Sequence, residues 1–448
     1  MNEAQRNPLA RNFNTVSLIR FAVPSMVMMF FMGLYTIVDT IFISRFVNTN
    51  ALSSVNIVCP VINMIVGLGT MLGTGGSAIV AKKMGNQNSG EARSNFTFII
   101  ITGVIIGLVI TAVGLLFLDK IIRVLGASEV LFPYCKDYLM IQLFFVVANI
   151  MQVLYQNLFV TAGKPALGLI LSVLAGIANI IFDYVFIVLM QMGIKGAALG
   201  TGIGYMIPAV AGTVFFLRQK SELHFAKPKM AFAVLLKSCS NGASEMVSQL
   251  AAAVTTFLFN RTMMKLLGED GVAAITVIIY SQFLLTTLYI GFSMGVAPII
   301  SYHFGSENGK QIKKVVRICF ALITAVSVIV FLFSFFAGEI IAKIFVGNHE
   351  NVYEITKRGF TIFSFSFLFS GWNIFSSALF TALSNGKVSA GISFLRTFGL
   401  ITVFLFILPK VFNVTGIWLA VPIAELFTFL LTICMIVRYR RHDNSICD

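Results

Sequence analysis

The stretch GGSAIVAKKMGNQNSG, residues 75–90, has a second copy in the chain, GVAPIISYHFGSENGK, residues 295–310. The two copies are 220 positions apart, and they align Gly75 with Gly295 and Gly85 with Gly305. The same offset places GIKGAALG (193–200) on NVTGIWLA (413–420), and TAGKPALG (161–168) matches LSNGKVSAG (383–391) after a small insertion. Matches spread over both halves predict that the chain consists of two similar structural halves.

The composition is that of a membrane protein. Of the 448 residues, 58% are hydrophobic and only 11% are charged, and the mean hydropathy is +0.91, well above that of soluble domains. Twelve apolar stretches are long enough to cross a hydrocarbon core of roughly 30 Å as helices. They are residues 17–42, 52–81, 96–118, 132–160, 166–190, 196–217, 233–264, 271–302, 316–338, 356–382, 388–409 and 414–437.

These stretches predict an all-α polytopic membrane protein with twelve transmembrane helices in two pseudo-symmetric six-helix lobes. The N-terminal lobe is expected over residues 1–217, a basic cytoplasmic linker over 218–232 and the C-terminal lobe over 233–448. Because six is an even number, both lobes enter the membrane from the same side. Parallel repeats of this kind usually enclose a substrate cavity, and rocking of one half against the other gives alternating access.

The distribution of charge predicts the orientation. Most of the 32 Lys and Arg residues fall in loops on one side, and such loops are usually cytoplasmic. We therefore expect a multi-pass protein of the cell membrane with both termini in the cytoplasm. The basic residues are dispersed over short segments, which argues against nucleic acid as a partner. The six Cys and four His residues form no metal-binding or catalytic pattern, so we predict neither an enzyme nor a bound cofactor.

Four acidic residues lie inside the predicted spans: Asp39, Asp183, Glu245 and Glu425. An ionisable residue at this depth costs about 2.5 to 3.5 kcal/mol on insertion scales, and such residues tend to mark ion or proton pathways. Asn179 precedes Asp183 by four positions, which places both side chains on one face of a helix.

A cation site is predicted in the outer half of the first lobe. At about 1.5 Å of rise per residue, Asp39, Asp183 and Thr201 lie at similar depths in three different spans. Together with Asn179 they offer oxygen ligands that suit Na⁺ or a proton shared between acids. Each residue has a structural alternative: Asp39 at the outer interface, Asn179 and Asp183 as a hydrogen-bonded pair, and Thr201 bonded to its own helix.

The repeat predicts that the second half lacks this cluster. At the offset of 220, Asp39 falls on Phe259 and Thr201 on Val421, while Asp183 falls on the apolar run VFLFIL at 403–408. The hydrophilic pocket is therefore expected in one lobe only.

The substrate is predicted to contact residues nearer the bilayer centre. Glu245 would bind a cationic substrate or a second proton, or would pair with Arg396, and Glu425 lies at a similar central depth. The remaining candidates are polar residues for which we expect a mixture of packing and cavity lining, namely Tyr35, Asn157, Tyr205, Tyr280 and Tyr289.

Over nearly its whole length the chain resembles the multidrug and toxic compound extrusion (MATE) transporters, in particular the prokaryotic multidrug efflux proteins. The matching features include Pro24 with Asp39 fifteen residues later and the NxxxD of Asn179 and Asp183. Thr201 in span 6 and Gly163 in an AxG turn also match. The resemblance implies that these N-lobe positions bind the coupling cation and that Pro24 is a hinge of span 1.

The chain departs from the family pattern in two places. The family often has Pro directly after the acid of span 5, where this chain has Tyr184, and Gly-x-Pro early in span 7, where this chain has Gly242, Ala243 and Ser244. The bending of those two spans is therefore not implied by the resemblance.

The predicted function is that of a cation-coupled antiporter, using Na⁺ or H⁺, which exports amphipathic and mainly cationic drugs from the cytoplasm. Aromatic and Met-rich walls would provide apolar and cation–π contacts. Such a protein would confer xenobiotic and antibiotic resistance, and we expect it to act as a monomer in the lipid bilayer. The alternatives are a lipid-linked oligosaccharide flippase of the same superfamily, which should carry cationic residues in its cavity, and a channel or receptor.

Overall fold

The computed structural model describes residues 7–218, 222–229, 231–346 and 350–442, and this part of the chain contains helices and no strand. By length and hydropathy nine of its helices can cross a membrane, or ten when the pair Phe132–Phe144 and Val146–Thr161, bent by 56°, is taken as one span. Two of these helices are long enough to contain two spans each. The described residues therefore form the twelve predicted spans.

The first lobe contains six spans. They are α1 (Thr15–Val47), α2 (Thr49–Gly85), α3 (Ser89–Leu116), α4 (Phe132–Phe144 with Val146–Thr161), α5 (Pro165–Leu189) and α6 (Ile194–Leu217). A short helix, Leu118–Val124, lies between α3 and α4. These helices contain the predicted spans, except that α3 and α5 end one or two residues earlier than predicted.

The second lobe repeats the arrangement. Its spans are α7 (232–267), α8 (269–305), α9 (Gly309–Val346), α10 (Glu350–Ala382), α11 (386–412) and α12 (414–442). Helices α7 and α8 are joined without a loop at Gly268, where φ is 63° and ψ is −147°. The predicted linker, 218–232, includes residues 219–221 and 230, which lie outside the described residues.

The repeat is visible in the backbone as well as in the sequence. Gln87 and Glu307, which are 220 positions apart, both adopt the left-handed conformation, with φ of 57° and 53°. Gly193 precedes α6 with φ 59° and ψ −137°, and Asn413 precedes α12 with φ 49° and ψ −130°. Residues other than glycine rarely adopt a positive φ. Because these backbone conformations recur at the offset of 220, they support two lobes of the same fold.

Asparagine side chains fix several helix starts. Asn14, Asn48, Asn88, Asn308 and Asn385 each accept a hydrogen bond from a backbone N–H three residues later. Such a bond satisfies one of the free donors in the first helical turn. Because the loops are short, these caps determine where one span ends and the next begins.

The two lobes pack closely at the end of the helices where Lys82, Lys83 and Lys310 lie, which we call the basic end. A methyl group added at Gly85 would overlap the carbonyl oxygen of Tyr302, and one added at Gly305 would overlap that of Lys82. These two contacts are related by the offset of 220. Backbones that approach so closely through glycine are typical of helix pairs in membranes.

Candidate functional site

Asp39 of α1 and Asp183 of α5 meet in the first lobe. Their carboxyl groups lie within hydrogen-bonding reach of each other, and Asp183 is completely buried. Oδ1 of Asp183 lies directly over Gly200 of α6, at a place where a side chain on residue 200 would occupy the same space. Helices α1, α5 and α6 therefore surround the two acids. This agrees with the similar depths predicted for residues of these three spans.

Asn179 and Thr201 complete this group, which we call the N-lobe pocket. Nδ2 of Asn179 lies 3.5 Å from the hydroxyl oxygen of Thr201, and this hydroxyl donates to the carbonyl of Ala197 at 3.0 Å. The hydroxyl of Thr201 thus donates its proton to a carbonyl of its own helix, which was the structural alternative for this residue. Its oxygen still accepts from Asn179, so the residue contributes an acceptor to the pocket.

Several oxygen atoms of the N-lobe pocket have no donor in the part of the chain that the structure describes. They are Oδ1 of Asp39, Oδ1 of Asn179 and both carboxylate oxygens of Asp183, all buried. Buried polar groups without partners are rare, because each costs about 1 to 3 kcal/mol. A proton held between the acids, or a small cation among these oxygens, would remove that cost. No group of three His, Cys, Asp or Glu side chains in the described ranges could hold a metal, so a cation here would depend on the amide and hydroxyl oxygens as well.

A small cavity adjoins these residues. Its volume is about 10 Å³, close to the space that one water molecule needs, and it is lined by Asn179, Thr201, Tyr35, Tyr205 and Gln152. Tyr35 and Tyr205, which we predicted at the substrate, therefore surround the N-lobe pocket instead. Sequence reasoning missed Gln152, although a glutamine in the middle of the apolar span α4 was a visible signal.

The helix geometry changes next to Asp39, Asp183 and Arg396. The last turns of α1, Ile43–Val47, are π-helical and follow Asp39, and the segment Tyr184–Leu189 is π-helical directly after Asp183. In α11 the π-helical segment Leu395–Gly399 contains Arg396. Wide turns of this kind often occur at functional sites. No sequence pattern predicted them.

The second lobe has no copy of the N-lobe pocket, because Phe259 and Val421, which correspond to Asp39 and Thr201, lie in an apolar core, as predicted. It carries instead a polar cluster of a different kind, which the sequence comparison did not predict. Nη1 of Arg396 lies 3.1 Å from Oε1 of Glu425, and Nδ2 of Asn373 donates to Oε2 of Glu425 at 2.6 Å. At the offset of 220, Glu425 falls on Tyr205, which lines the cavity beside the N-lobe pocket. The second lobe thus has an ion pair in the region where the first lobe has its pocket.

This ion pair shows which acid neutralises the charge of Arg396. An ion pair with Arg396 was one of the alternatives for Glu245, but Arg396 pairs with Glu425, which is only 2% exposed. Both carboxylate oxygens of Glu425 are occupied, so a substrate could reach its charge only by displacing Arg396 or Asn373.

Glu245 and Tyr280 lie where the two lobes face each other. Glu245 is half-buried in α7 and interacts electrostatically with Arg396. It forms no ion pair with any described residue. Next to it, Met246 packs against Gly67 of α2. Tyr280 of α8 lies near Cys59 of α2. Both predicted substrate residues therefore border the boundary between the lobes.

The other predicted residues have packing roles in this conformation. Asn157 donates to the carbonyl of Val153 at 3.0 Å and packs against Gly73. Tyr289 is buried and donates to the carbonyl of Phe367 at 3.2 Å. Pro24 lies within an unbroken helix, so α1 has no sharp break at the predicted hinge.

Known proteins share this architecture. The MatE family profile matches residues 24–185 and 245–408, one segment in each lobe. The multidrug export protein MepA of Staphylococcus haemolyticus is 25% identical over 444 residues, covering 96% of this chain and 95% of its own.

Two solved structures have the same fold. A crystal structure of MATE in complex with MaL6 superposes with a TM-score of 0.90 at 19% identity, covering 96% of this chain and 98% of its own. An outward-facing multidrug resistance MATE transporter superposes with a TM-score of 0.89 at 19% identity, covering 96% and 98%. The profile match in both lobes shows that this chain belongs to the MatE family of membrane transporters.

Proposed function

We propose that this chain is an antiporter that uses Na⁺ or H⁺ to export amphipathic, mainly cationic drugs and toxic compounds from the cytoplasm. One observation carries the proposal. Asp39 and Asp183 lie side by side in a pocket in which four buried oxygens have no donor among the described residues. Buried oxygens without donors cost free energy and do not stabilise the fold, whereas a bound coupling ion would provide the missing interactions.

The coupling follows from charge. Two adjacent carboxylates repel each other when both are charged, and they approach when a proton or Na⁺ lies between them. Asp39 lies on α1, and α1 also packs against the second lobe, where Gly291 of α8 approaches the backbone of Met26. Occupancy of the N-lobe pocket would therefore shift α1 and alter the contact between the lobes.

The substrate would bind where the lobes face each other. Glu245 has no ion-pair partner among the described residues, and its carboxylate would attract a cation there. Because the basic end carries the positively charged loops, we place it and both termini in the cytoplasm, with the protein as a monomer in the cell membrane. The name of the MepA relative, a multidrug export protein, favours a broad range of substrates.

The test is dye efflux from proteoliposomes under an imposed Na⁺ gradient or an imposed pH gradient, each applied separately. Asp183→Asn and Asp39→Asn should abolish efflux under the active gradient, because the amide keeps the shape and loses the charge. Asp137→Asn is the matched control, since this acid pairs with Lys195 at 3.4 Å and is half-exposed. Wild-type efflux by Asp183→Asn would refute the cation-site proposal.

The two alternative functions, a flippase and a channel, predict different results in this assay. A flippase would translocate a lipid-linked oligosaccharide in the same vesicles and would not move a cationic dye. A channel would let the dye pass in proportion to its own gradient, with no response to imposed Na⁺ or pH.

A further inference from the structure

An apolar groove of about 630 Å³ opens in the second lobe near the basic end. It lies between α9 and α12, with α10 at its floor, and we call it the C-lobe groove. Its volume is within the range of about 300 to 1,000 Å³ that is typical of ligand sites. The walls are provided by Val316, Phe320, Leu379, Phe380, Ile436 and Val437. Val437 is 45% exposed, so the groove is open toward the surrounding bilayer.

Two cationic side chains border this groove. Lys313 and Arg317 lie four residues apart on α9 and therefore on one face of the helix. Within the ranges that the structure describes, neither of them forms an ion pair. The groove thus combines an apolar body with two positive charges that the described protein does not neutralise.

The equivalent place in the first lobe is filled by the chain itself. Residues 222–229 fold back against α3, and the ring of Phe225 packs on Phe96 with centroids 5.3 Å apart. Nε of Arg93 donates to the carbonyl of Glu222 at 2.8 Å, and the N–H of Ala226 donates to the hydroxyl of Thr97 at 3.0 Å. An apolar side chain, a backbone acceptor and a backbone donor therefore occupy this position.

The second lobe differs at the decisive positions. At the offset of 220, Arg93 corresponds to Lys313 and Thr97 to Arg317, so a hydroxyl acceptor is replaced by a second cation. Phe96 corresponds to Val316, which leaves more space. Helix α6 ends at Leu217 and the chain then turns back, whereas α12 continues beyond the corresponding Val437 to His442. The described chain thus leaves the C-lobe groove open. It provides positive charge on two successive turns of α9, at Lys313 and Arg317.

We propose that the C-lobe groove binds an anionic phospholipid from the leaflet at the basic end. Its phosphate would lie between Lys313 and Arg317, and an acyl chain would lie along Val316 and Leu379. Phosphate forms strong charge-assisted hydrogen bonds with Lys and Arg, and basic pockets between transmembrane helices bind anionic headgroups. The lipid would take the place that residues 222–229 occupy in the first lobe, and this role is independent of the transported compound.

The test measures lipid binding by the purified full-length protein in detergent. Phosphatidylglycerol and phosphatidylcholine are titrated separately, with retention counted by native mass spectrometry and stability followed by thermal unfolding. Wild type should retain phosphatidylglycerol preferentially and gain stability from it. The double variant Lys313→Gln/Arg317→Gln should bind it roughly tenfold or more weakly. The matched control is Lys310→Gln/Lys314→Gln, which removes the same charge from exposed positions of α9 outside the groove.

A second variant separates binding in the groove from attraction to a basic surface. Ile436→Trp fills the groove and leaves both cations in place, so it should also weaken retention. Equal losses in the two charge variants, or full retention by Ile436→Trp, would overturn the proposal. A preference for phosphatidylglycerol that appears only after residues 443–448 are removed would also overturn it, by assigning the groove to the chain's own C-terminal segment.

Discussion

Replacing Gly85 with alanine should open the contact between the lobes at the basic end. A Cβ atom at this position would overlap the carbonyl oxygen of Tyr302 and lie 2.9 Å from its carbonyl carbon and 3.0 Å from the nitrogen of Ser306. That carbonyl also accepts the helical hydrogen bond of Ser306 at 2.9 Å, so it cannot rotate away without breaking α8.

The size of the effect follows from these distances. Carbon atoms in contact are normally about 3.5 to 4.0 Å apart, so the helices must separate by at least about 0.6 Å, and further to free the oxygen. Overpacking of this kind costs about 1 to 3 kcal/mol. If the open arrangement relieves that cost, the equilibrium between closed and open lobes shifts by roughly 5- to 150-fold.

The assay is a distance measurement between spin labels on the two lobes. Cysteines replace Gly90 and Glu307, two exposed positions at the basic end, in a background without native cysteines. The label distances of Gly85→Ala should shift to longer values than those of wild type. Gly391→Ala is the control, because its added methyl would meet open space. An unchanged distance distribution in Gly85→Ala would refute the reasoning.

Three further variants test the remaining roles. Glu245→Gln should raise the KM for cationic compounds far more than for neutral ones in efflux assays; equal losses would indicate a structural role. Pro24→Ala should slow efflux more than it weakens equilibrium dye binding, because proline leaves α1 without one backbone hydrogen bond; proportional losses would exclude a hinge. Arg396→Met should destabilise the protein by about 3 to 5 kcal/mol in denaturation measurements, since it leaves Glu425 buried and unpaired. The double variant Arg396→Met/Glu425→Met should recover most of this loss, and failure to recover would contradict the ion-pair explanation.

Much of the N-lobe pocket could be predicted, because its members follow simple helical geometry. Asn179 and Asp183 share a face through their spacing of four, and counting residues along the spans placed Asp39 and Thr201 at the same depth. Depth and face, however, do not say which neighbours complete a pocket. Gln152 and the two tyrosines Tyr35 and Tyr205 line it because of how α4, α1 and α6 are rotated, and this rotation depends on side-chain packing.

The partner of Arg396 could not be predicted for the same reason. Glu245 and Glu425 are both acids at a central depth, so counting along the chain cannot distinguish them. Packing of α10, α11 and α12 brings Glu425 next to Arg396 and Asn373, while Glu245 forms no ion pair with any described residue. The repeat comparison did not predict this ion pair, because it tests only the positions that correspond to the N-lobe pocket, and the ion pair is formed by other residues.

The sequence by itself determined the membrane-spanning class, the number of spans, the two-lobe repeat and the presence of acids inside the first lobe. Each of these depends on hydropathy or on spacing along one chain, and a bilayer of fixed thickness converts such patterns directly into helices. Only the tertiary structure decided which acid Arg396 neutralises, which residues close the N-lobe pocket and why the C-lobe groove is open. Those outcomes depend on contacts between helices distant in sequence, where a single glycine or a rotated helix face decides which side chains meet.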